Sequence, residues 1–233
     1  MQHVPKPKKI AIISKYDIYF KPIISKFKSS HHLLDTFHES EDFYSEILGS
    51  DYDYIFFPHV SKIISSELIS NFYCIGFHTG DLPSDRGGSP IQHKILKGEY
   101  QTKVSAFTMM HQIDAGAIHC QRDLNIEFGN VQEIITQISI LISDMIFEIV
   151  NFQPEAIPQS GVGSINKRLT PMNSILNLDE LDLKKIYDRI RMVDGFDYPK
   201  AYVETTKYKI FFSNASYKNN KISANVSIEM KQK

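Results

Sequence analysis

Cysteine is scarce in this chain: 233 residues hold two, Cys74 and Cys120. Two thiols do not make a disulfide framework. Each lies in apolar or strand-like sequence, so both are expected as buried thiols of a cytoplasmic protein. Net charge is also missing. Lys and Arg number 26 against 27 Asp and Glu, a formal charge of -1. That balance gives no global electrostatic case for nucleic acid or an anionic membrane as partner. The basic segment His3-Val4-Pro5-Lys6-Pro7-Lys8-Lys9 is short, lacks an apolar centre and runs into a strand pattern, so it reads as a solvated tail. No apolar run approaches the roughly 18 residues that span a bilayer. The longest apolar-rich stretch, Val131 to Val150, is interrupted by Gln132, Glu133, Gln137, Ser139, Ser143, Asp144 and Glu148. Several signatures are absent too: HExxH, paired CxxC, a Walker loop, GxGxxG after the first strand, and GxSxG. His31-His32, His111 and His119 have no ligand spacing, so no metal is expected.

What is present alternates between strand and helix. Lys9 to Ser14 is a β-branched run with two apolar faces, as in a parallel sheet covered on both sides. A helix is expected over Tyr16 to Phe27, a strand over Leu33 to Phe37 and a short helix over Asp42 to Leu48. A third strand runs from Tyr52 to Phe57 and ends at Pro58. After a helix or turn over Lys62 to Ile69, a fourth strand runs from Tyr73 to His78. This order predicts a doubly wound, Rossmann-like α/β core. Further on, Ser89 and Pro90 open a helix that Gly98 closes. Strands are expected over Thr102 to His111 and Ala117 to Asp123, with a turn at Asp114 between them. Asn130 caps a long helix whose Val131, Ile134, Ile135, Ile138, Leu141, Ile142, Met145, Ile146 and Ile149 share one face. Composition changes after Asn151. The chain therefore divides into a core, 1–152, and an α+β extension, 153–233. The extension holds a loop to Gly163, a strand from Ser164, a helix over Asp179 to Met192, and strands over Tyr202 to Phe212 and Lys221 to Glu229.

The chemistry concentrates in Phe77-His78-Thr79-Gly80-Asp81-Leu82-Pro83-Ser84-Asp85-Arg86-Gly87-Gly88-Ser89-Pro90. In open α/β sheets the ligand crevice lies past the carboxyl ends of strands, which is where both Pro58-His59 and His78 fall. A lone histidine at a strand end is more often a structural hydrogen-bonder. The setting of His78, before a loop with three glycines, argues for chemistry instead. A lone carboxylate, Asp114, stands in a second turn, Ile113-Asp114-Ala115-Gly116. A histidine takes or gives protons near neutral pH, and a carboxylate beside it holds its tautomer and stabilises its cation.

In their order, His78, Leu82-Pro83, Arg86-Gly87, Pro90, Gly98, Thr102 and Ile113-Asp114-Ala115-Gly116-Ala117-Ile118 resemble the formyltransferases that use N10-formyltetrahydrofolate. The resemblance covers about Ile55 to Leu124. It implies N10-formyltetrahydrofolate as co-substrate without a metal, and His78 and Asp114 as catalytic residues. It places the pterin pocket at Phe57, Pro58, His59, Ile64 and Asp114. The family's asparagine, which orients the formyl oxygen, falls at Gly76, where no side-chain amide exists. The loop Arg86-Gly87-Gly88-Ser89-Pro90-Ile91-Gln92, with Ile190-Arg191-Met192-Val193-Asp194 and Tyr198-Pro199-Lys200-Ala201, looks like the sugar N-formyltransferase branch. That branch acts on a nucleotide-linked 4-amino-4,6-dideoxy sugar of surface polysaccharide, in pseudaminic-acid-like chemistry. Substrate contacts then fall to Thr79, Arg86, Gly87, Gly88, Gln92, Arg168 and Tyr198. The partner expected is a nucleotide-linked amino sugar, with neither nucleic acid nor membrane; the tail strands suit a homodimer. Two alternatives stand beside this reading. One is a folate- or nucleotide-binding protein of this fold with little turnover, which Gly76 favours. The other is a formyl-folate hydrolase, whose members carry an N-terminal regulatory domain, whereas this sequence starts on the core strand.

Overall fold

A computed structural model describes residues 6–40, 43–179, 181–195 and 198–231. Residues 3–5 of the basic tail, Asp42 at the expected start of a helix, and Glu180 within another lie outside the described residues. The chain forms two compact units. One takes the described residues up to Arg86 with Lys103–Asp123 and Thr136–Ser164. The other takes Gly87–Thr102, Leu124–Ile135 and the described residues from Ile165 on.

The elements run β1 (Lys9–Ser14), α1 (Phe20–Phe27), β2 (Leu33–His38), α2 (Phe43–Leu48), β3 (Tyr54–His59), α3 (Ser66–Asn71), β4 (Cys74–His78) and β5 (Asp85–Gly87). They continue with α4 (Pro90–Lys97), β6 (Gln101–Thr108), β7 (Ile118–Asn125), α5 (Val131–Phe152), β8 (Ser164–Asn166), α6 (Leu183–Arg191), β9 (Tyr202–Glu204), β10 (Tyr208–Lys218) and β11 (Lys221–Met230). The central sheet has the order β2-β1-β3-β4-β6-β7. Its first four strands are parallel, and β6 runs antiparallel to β4. The expected α/β architecture is therefore present, with a small antiparallel sheet, β11-β10-β9, in the second unit.

The two apolar faces of the early strands are both covered. On one, Ala11, Ile13, Ile55, Phe57 and Cys74 pack with Phe43 and Ile47 of α2 and Leu68 of α3. On the other side, α1 and α5 meet through Phe27 and Phe147, whose ring centroids lie 5.4 Å apart, and through Lys26 and Asp144 at 2.6 Å. The cap of α5 is reciprocal: Asn130 Oδ1 accepts from the Glu133 N–H, and the Glu133 carboxylate accepts from the Asn130 N–H, both at 2.9 Å.

Four local expectations are corrected. Pro58 does not end the third strand but lies within β3. The β1–β3 register shifts between Ile12 and Ser14, and a bulge there tolerates a residue with no N–H to donate. Ser89 is the N-cap residue of α4, with Pro90 opening the helix as expected, but its side chain makes no capping bond. Its φ is 54°, and its Oγ accepts from the Leu169 N–H at 3.1 Å. The helix expected from Asp179 begins at Leu183, because Asp182 is the N-cap and accepts from the Lys185 N–H at 2.8 Å. Tyr202 to Phe212 is not one strand. Thr205 Oγ1 accepts from the Tyr208 N–H at 2.9 Å and folds the segment into the β9–β10 hairpin. A second hairpin, β10–β11, turns through Asn219 and Asn220 at φ 51° and 56°, the left-handed pair that a two-residue turn requires.

In the second unit, Arg191 is 1% exposed. Its Nε donates to Asp188 Oδ1 at 2.6 Å, and its Nη1 donates to the Ile126 and Gly129 carbonyls at 2.9 and 3.0 Å. Asp188 also accepts from Tyr100 and Lys184 at 2.7 and 2.8 Å. Among the described residues no helix is long and apolar enough to cross a membrane. Replacing Asp188 by alanine strands the Arg191 guanidinium without its anion. It is expected to cost about 3–5 kcal/mol, read as a lower urea midpoint; a loss under about 0.5 kcal/mol, the size of an ordinary surface change, would contradict this account.

Candidate active site

The carboxyl end of β4 is a fixed point. Cys74, Ile75 and Gly76 are buried, and the strand pairs with β3 on one edge and β6 on the other. His78 is its last residue and is 6% exposed. Its Nδ1 lies 3.4 Å from Asp114 Oδ2. Its Nε2 meets the Asp85 carbonyl oxygen at 2.5 Å. A carbonyl only accepts, so Nε2 carries the hydrogen. Nδ1 then faces the carboxylate, and a second proton on the ring falls between them. The two sequence candidates for proton handling are thus together, 36 residues apart in the chain.

Asp114 is placed by an unusual turn. Its φ is 52°. A Cβ on Gly116 would run into the Thr108 carbonyl of β6, so the turn lies directly on that strand. A residue that the sequence reading missed, Gln159, bonds to it. Its Nε2 donates to the Asp114 and Gly116 carbonyls, both at 2.8 Å. Gln159 Oε1 accepts from Arg86 Nε at 3.1 Å and Nη2 at 2.6 Å. Ser105, paired with His78 across β4 and β6, donates to the Gly80 carbonyl at 3.0 Å and accepts from Gln121 at 2.8 Å. Nothing in local sequence marks Gln159, Ser105 or Gln121; their relevance is a matter of cross-strand and cross-loop neighbours.

Gly76 pairs with Phe107 across β4 and β6. A Cβ there would stand 3.0 Å from Phe107 Cζ and 3.2 Å from Met109 Cγ. The room for a side chain is therefore taken by an aromatic ring. Phe57 and Ile64 are 1% and 5% exposed and belong to the core cluster, so their side chains serve packing. Pro58 sits in the β3 bulge. His59 accepts through its carbonyl from the Lys15 N–H at 3.0 Å, and its ring lies 4.8 Å from that of Tyr16. Thr79 is half-buried.

The remaining candidates belong to the second unit. The space beside Gly87 and Gly88 is occupied by backbone of Asn166 and Arg168, which explains both glycines by close approach. Arg168 itself is exposed. Gln92 is buried, and its Nε2 donates to the Met192 carbonyl at 3.3 Å. Gln92 and Tyr198 line one small cleft with Ser89, Asn173 and Met192.

Other chemistry is limited. Burial pushes the Cys74 thiol up to about 12 and, with help from Glu148, the Cys120 thiol up to about 11, so neither is a ready nucleophile. Burial lowers the pKa of His119, whose Nε2 meets Thr108 Oγ1 at 3.0 Å and the Tyr73 hydroxyl at 3.3 Å. Among the described residues no group of three or more His, Cys, Asp or Glu is placed to hold a metal ion.

Comparison with known proteins adds to this geometry. A family model described as formyl transferase matches residues 8–138, and one described as methionyl-tRNA formyltransferase, C-terminal domain, matches residues 171–229. A solved structure titled methionyl-tRNA formyltransferase from Clostridium thermocellum is 36% identical, with a TM-score of 0.89, covering 96% of this chain and 100% of that one. The methionyl-tRNA formyltransferase of Staphylococcus aureus strain Newman is 26% identical over 219 residues, 89% of this chain and 64% of its own length. A 4-N formyltransferase from Francisella tularensis shares the fold, with 20% identity and a TM-score of 0.67 over 85% of this chain and 93% of that one. The chain spans about half the length of several curated relatives it matches.

The Gly76–Phe107 contact yields a test. Gly76→Asn alone is expected to lose about 1–3 kcal/mol through overpacking. In the Phe107→Ala background the same change should cost less, so a double-mutant cycle on urea midpoints should show coupling above about 0.5 kcal/mol. Additive losses would mean that the ring does not fill that space.

Proposed function

This chain belongs to the formyl transferase family, and from that premise we propose that it moves a formyl group from N10-formyltetrahydrofolate to a primary amine. The observation that carries the reading is the buried His78–Asp114 pair at the carboxyl end of β4. The co-substrate supplies an electrophilic formyl carbon and a leaving nitrogen. The amine attacks the formyl carbon and the bond to the folate nitrogen breaks. The proton the amine sheds passes by way of the Asp114 carboxylate, which shares it with His78 Nδ1, to the leaving folate nitrogen, and Asp114 orients the ring and stabilises it while it carries two protons. The bulge at Phe57-Pro58-His59, with the backbone near Ile64 and the Asp114 turn, is proposed as the pterin side. In this reading residues 1–152 are the transfer core and residues 153–233 the extension that serves the acceptor, with Gln159 reaching back to the Asp114 turn. A lost oxyanion donor costs about 2.7–4 kcal/mol in the barrier. With glycine at position 76, Thr79, next to His78 in the chain, is the substitute we propose.

Two acceptors each have support. The full-length likeness to a methionyl-tRNA formyltransferase and the match over 171–229 favour the amine of an aminoacyl-tRNA. Charge distribution agrees. Residues 165–233 hold 13 Lys and Arg against 8 Asp and Glu, a net of +5, so the -1 of the whole chain hides a basic C-terminal part. The loop from Arg86 to Gln92 favours instead a nucleotide-linked 4-amino-4,6-dideoxy sugar, as in surface polysaccharide. Within the second unit, Arg168, which is exposed, and Tyr198, which lines the small cleft, are the residues proposed to meet it.

The test is release of tetrahydrofolate from formyl-folate in the presence of methionyl-tRNA or a panel of nucleotide-linked amino sugars. Formyl transfer to one amine is expected, and His78→Asn should slow it by about 10²–10⁴-fold without unfolding the protein. Release to water alone would make the protein a hydrolase, and no release a binding protein. Full activity in His78→Asn would remove His78 from the mechanism.

A further inference from the structure

We infer that Gln159 is a positioning residue for formyl transfer: its amide sets the backbone of the Asp114 turn, and through it the placement of the Asp114 carboxylate against His78. The inference rests on the reading of His78 and Asp114 as the reacting pair.

The turn itself comes first. Asp114 sits at φ 52°, a left-handed conformation that is uncommon for a residue other than glycine, though aspartate takes it more readily than most. Gly116 anchors one side of the turn against β6. Gln159 supplies a second anchor, because one NH₂ group has two hydrogens and here both are used, one on each of the Asp114 and Gly116 carbonyls. The direction of the amide follows from its partners. Arg86 offers only donors, so the amide oxygen must face it, and the two carbonyls accept, so the nitrogen must face them. A flipped amide would lose all four bonds.

These contacts close on themselves. His78 Nδ1 faces Asp114, the Asp114 carbonyl accepts from Gln159, and Gln159 accepts from Arg86. Arg86 follows Asp85 in the chain, and the Asp85 carbonyl takes the other ring nitrogen of His78. One side chain from a distant loop thus ties together the two groups that hold the histidine from opposite sides. The constraint matters because a misplacement of about 1 Å at a reacting group can cost about 10²-fold in rate.

The test uses the full chain. Gln159→Glu keeps the shape and the oxygen that Arg86 needs but turns the donating nitrogen into an acceptor facing two carbonyls; Gln159→Leu removes both halves. Both are expected to lower kcat by about 10²-fold, with KM for formyl-folate changed less than about threefold. Gln159→Glu should lose less of its urea midpoint than Gln159→Leu, since the Arg86 contact survives only in the former. A second readout needs no turnover. The ring ¹H–¹⁵N signals of His78, assigned by their loss in His78→Asn, should shift in both Gln159 variants and stay in place in Ser160→Ala. Unchanged His78 signals in both Gln159 variants would overturn the inference. So would a kcat within threefold of wild type, or a loss of kcat that only tracks unfolding. If the wild-type protein transfers no formyl group, the functional reading fails by itself, and the His78 signals still decide whether Gln159 governs the histidine's surroundings.

Discussion

The immobility of β4 is the constraint from which the site follows. A strand buried along its length and hydrogen-bonded on both edges has no low-energy way to shift, slide or twist. Its last residue therefore emerges at a defined point and in a defined direction. His78 inherits that precision, and the loop after it does not need to be rigid by itself. It is pinned where it touches the histidine: the Asp85 carbonyl on one ring nitrogen and the Asp114 carboxylate beside the other. The change from a parallel neighbour, β3, to an antiparallel one, β6, matters as well. It puts Ser105 directly across from His78 and sends β6 on to the turn that holds Asp114. His78 and Asp114 meet for that reason: one ends β4 and the other lies in the turn after its neighbour β6.

The same pairing accounts for the departure at Gly76. Read alone, a glycine where related enzymes are expected to carry an amide looks like a loss. In the sheet it is one half of a cross-strand pair, with the Phe107 ring over the bare α-carbon. Glycine and phenylalanine fit together there as a large and a small partner do in any packed layer. An amide cannot simply be restored at position 76, because the Phe107 ring and the Met109 side chain stand against its place.

Polar groups in the second unit have a different task. Arg191 and Asp194 lie in the segment that looks like a motif of the sugar-acting branch, yet both are buried and bonded within their own unit. Arg191 binds Asp188 and two carbonyls; Asp194 accepts from Lys200 at 2.7 Å and from the Asn214 N–H at 2.6 Å. In this chain the segment ties the end of α6 to β10.

The chain's local patterns determined a good deal. β-Branched runs with two apolar faces specified a sheet covered on both sides, three-four spacing specified α5, and Asn130 specified its start. Each depends on residues a few positions apart, which is the range over which backbone geometry turns sequence into periodicity. His78 and Asp114 were legible as candidates because their residue types and turn settings are unusual. Tertiary structure alone decided that they meet, that Pro58 rests inside a strand on a bulge, that Phe107 fills the space at Gly76, and that Gln159 spans the Asp114 turn. Those facts depend on groups brought together from 31 positions apart, as in Gly76 and Phe107, to 73, as in Arg86 and Gln159. No periodicity encodes such a meeting; it exists only once the sheet has set its register and the loops have been closed over it.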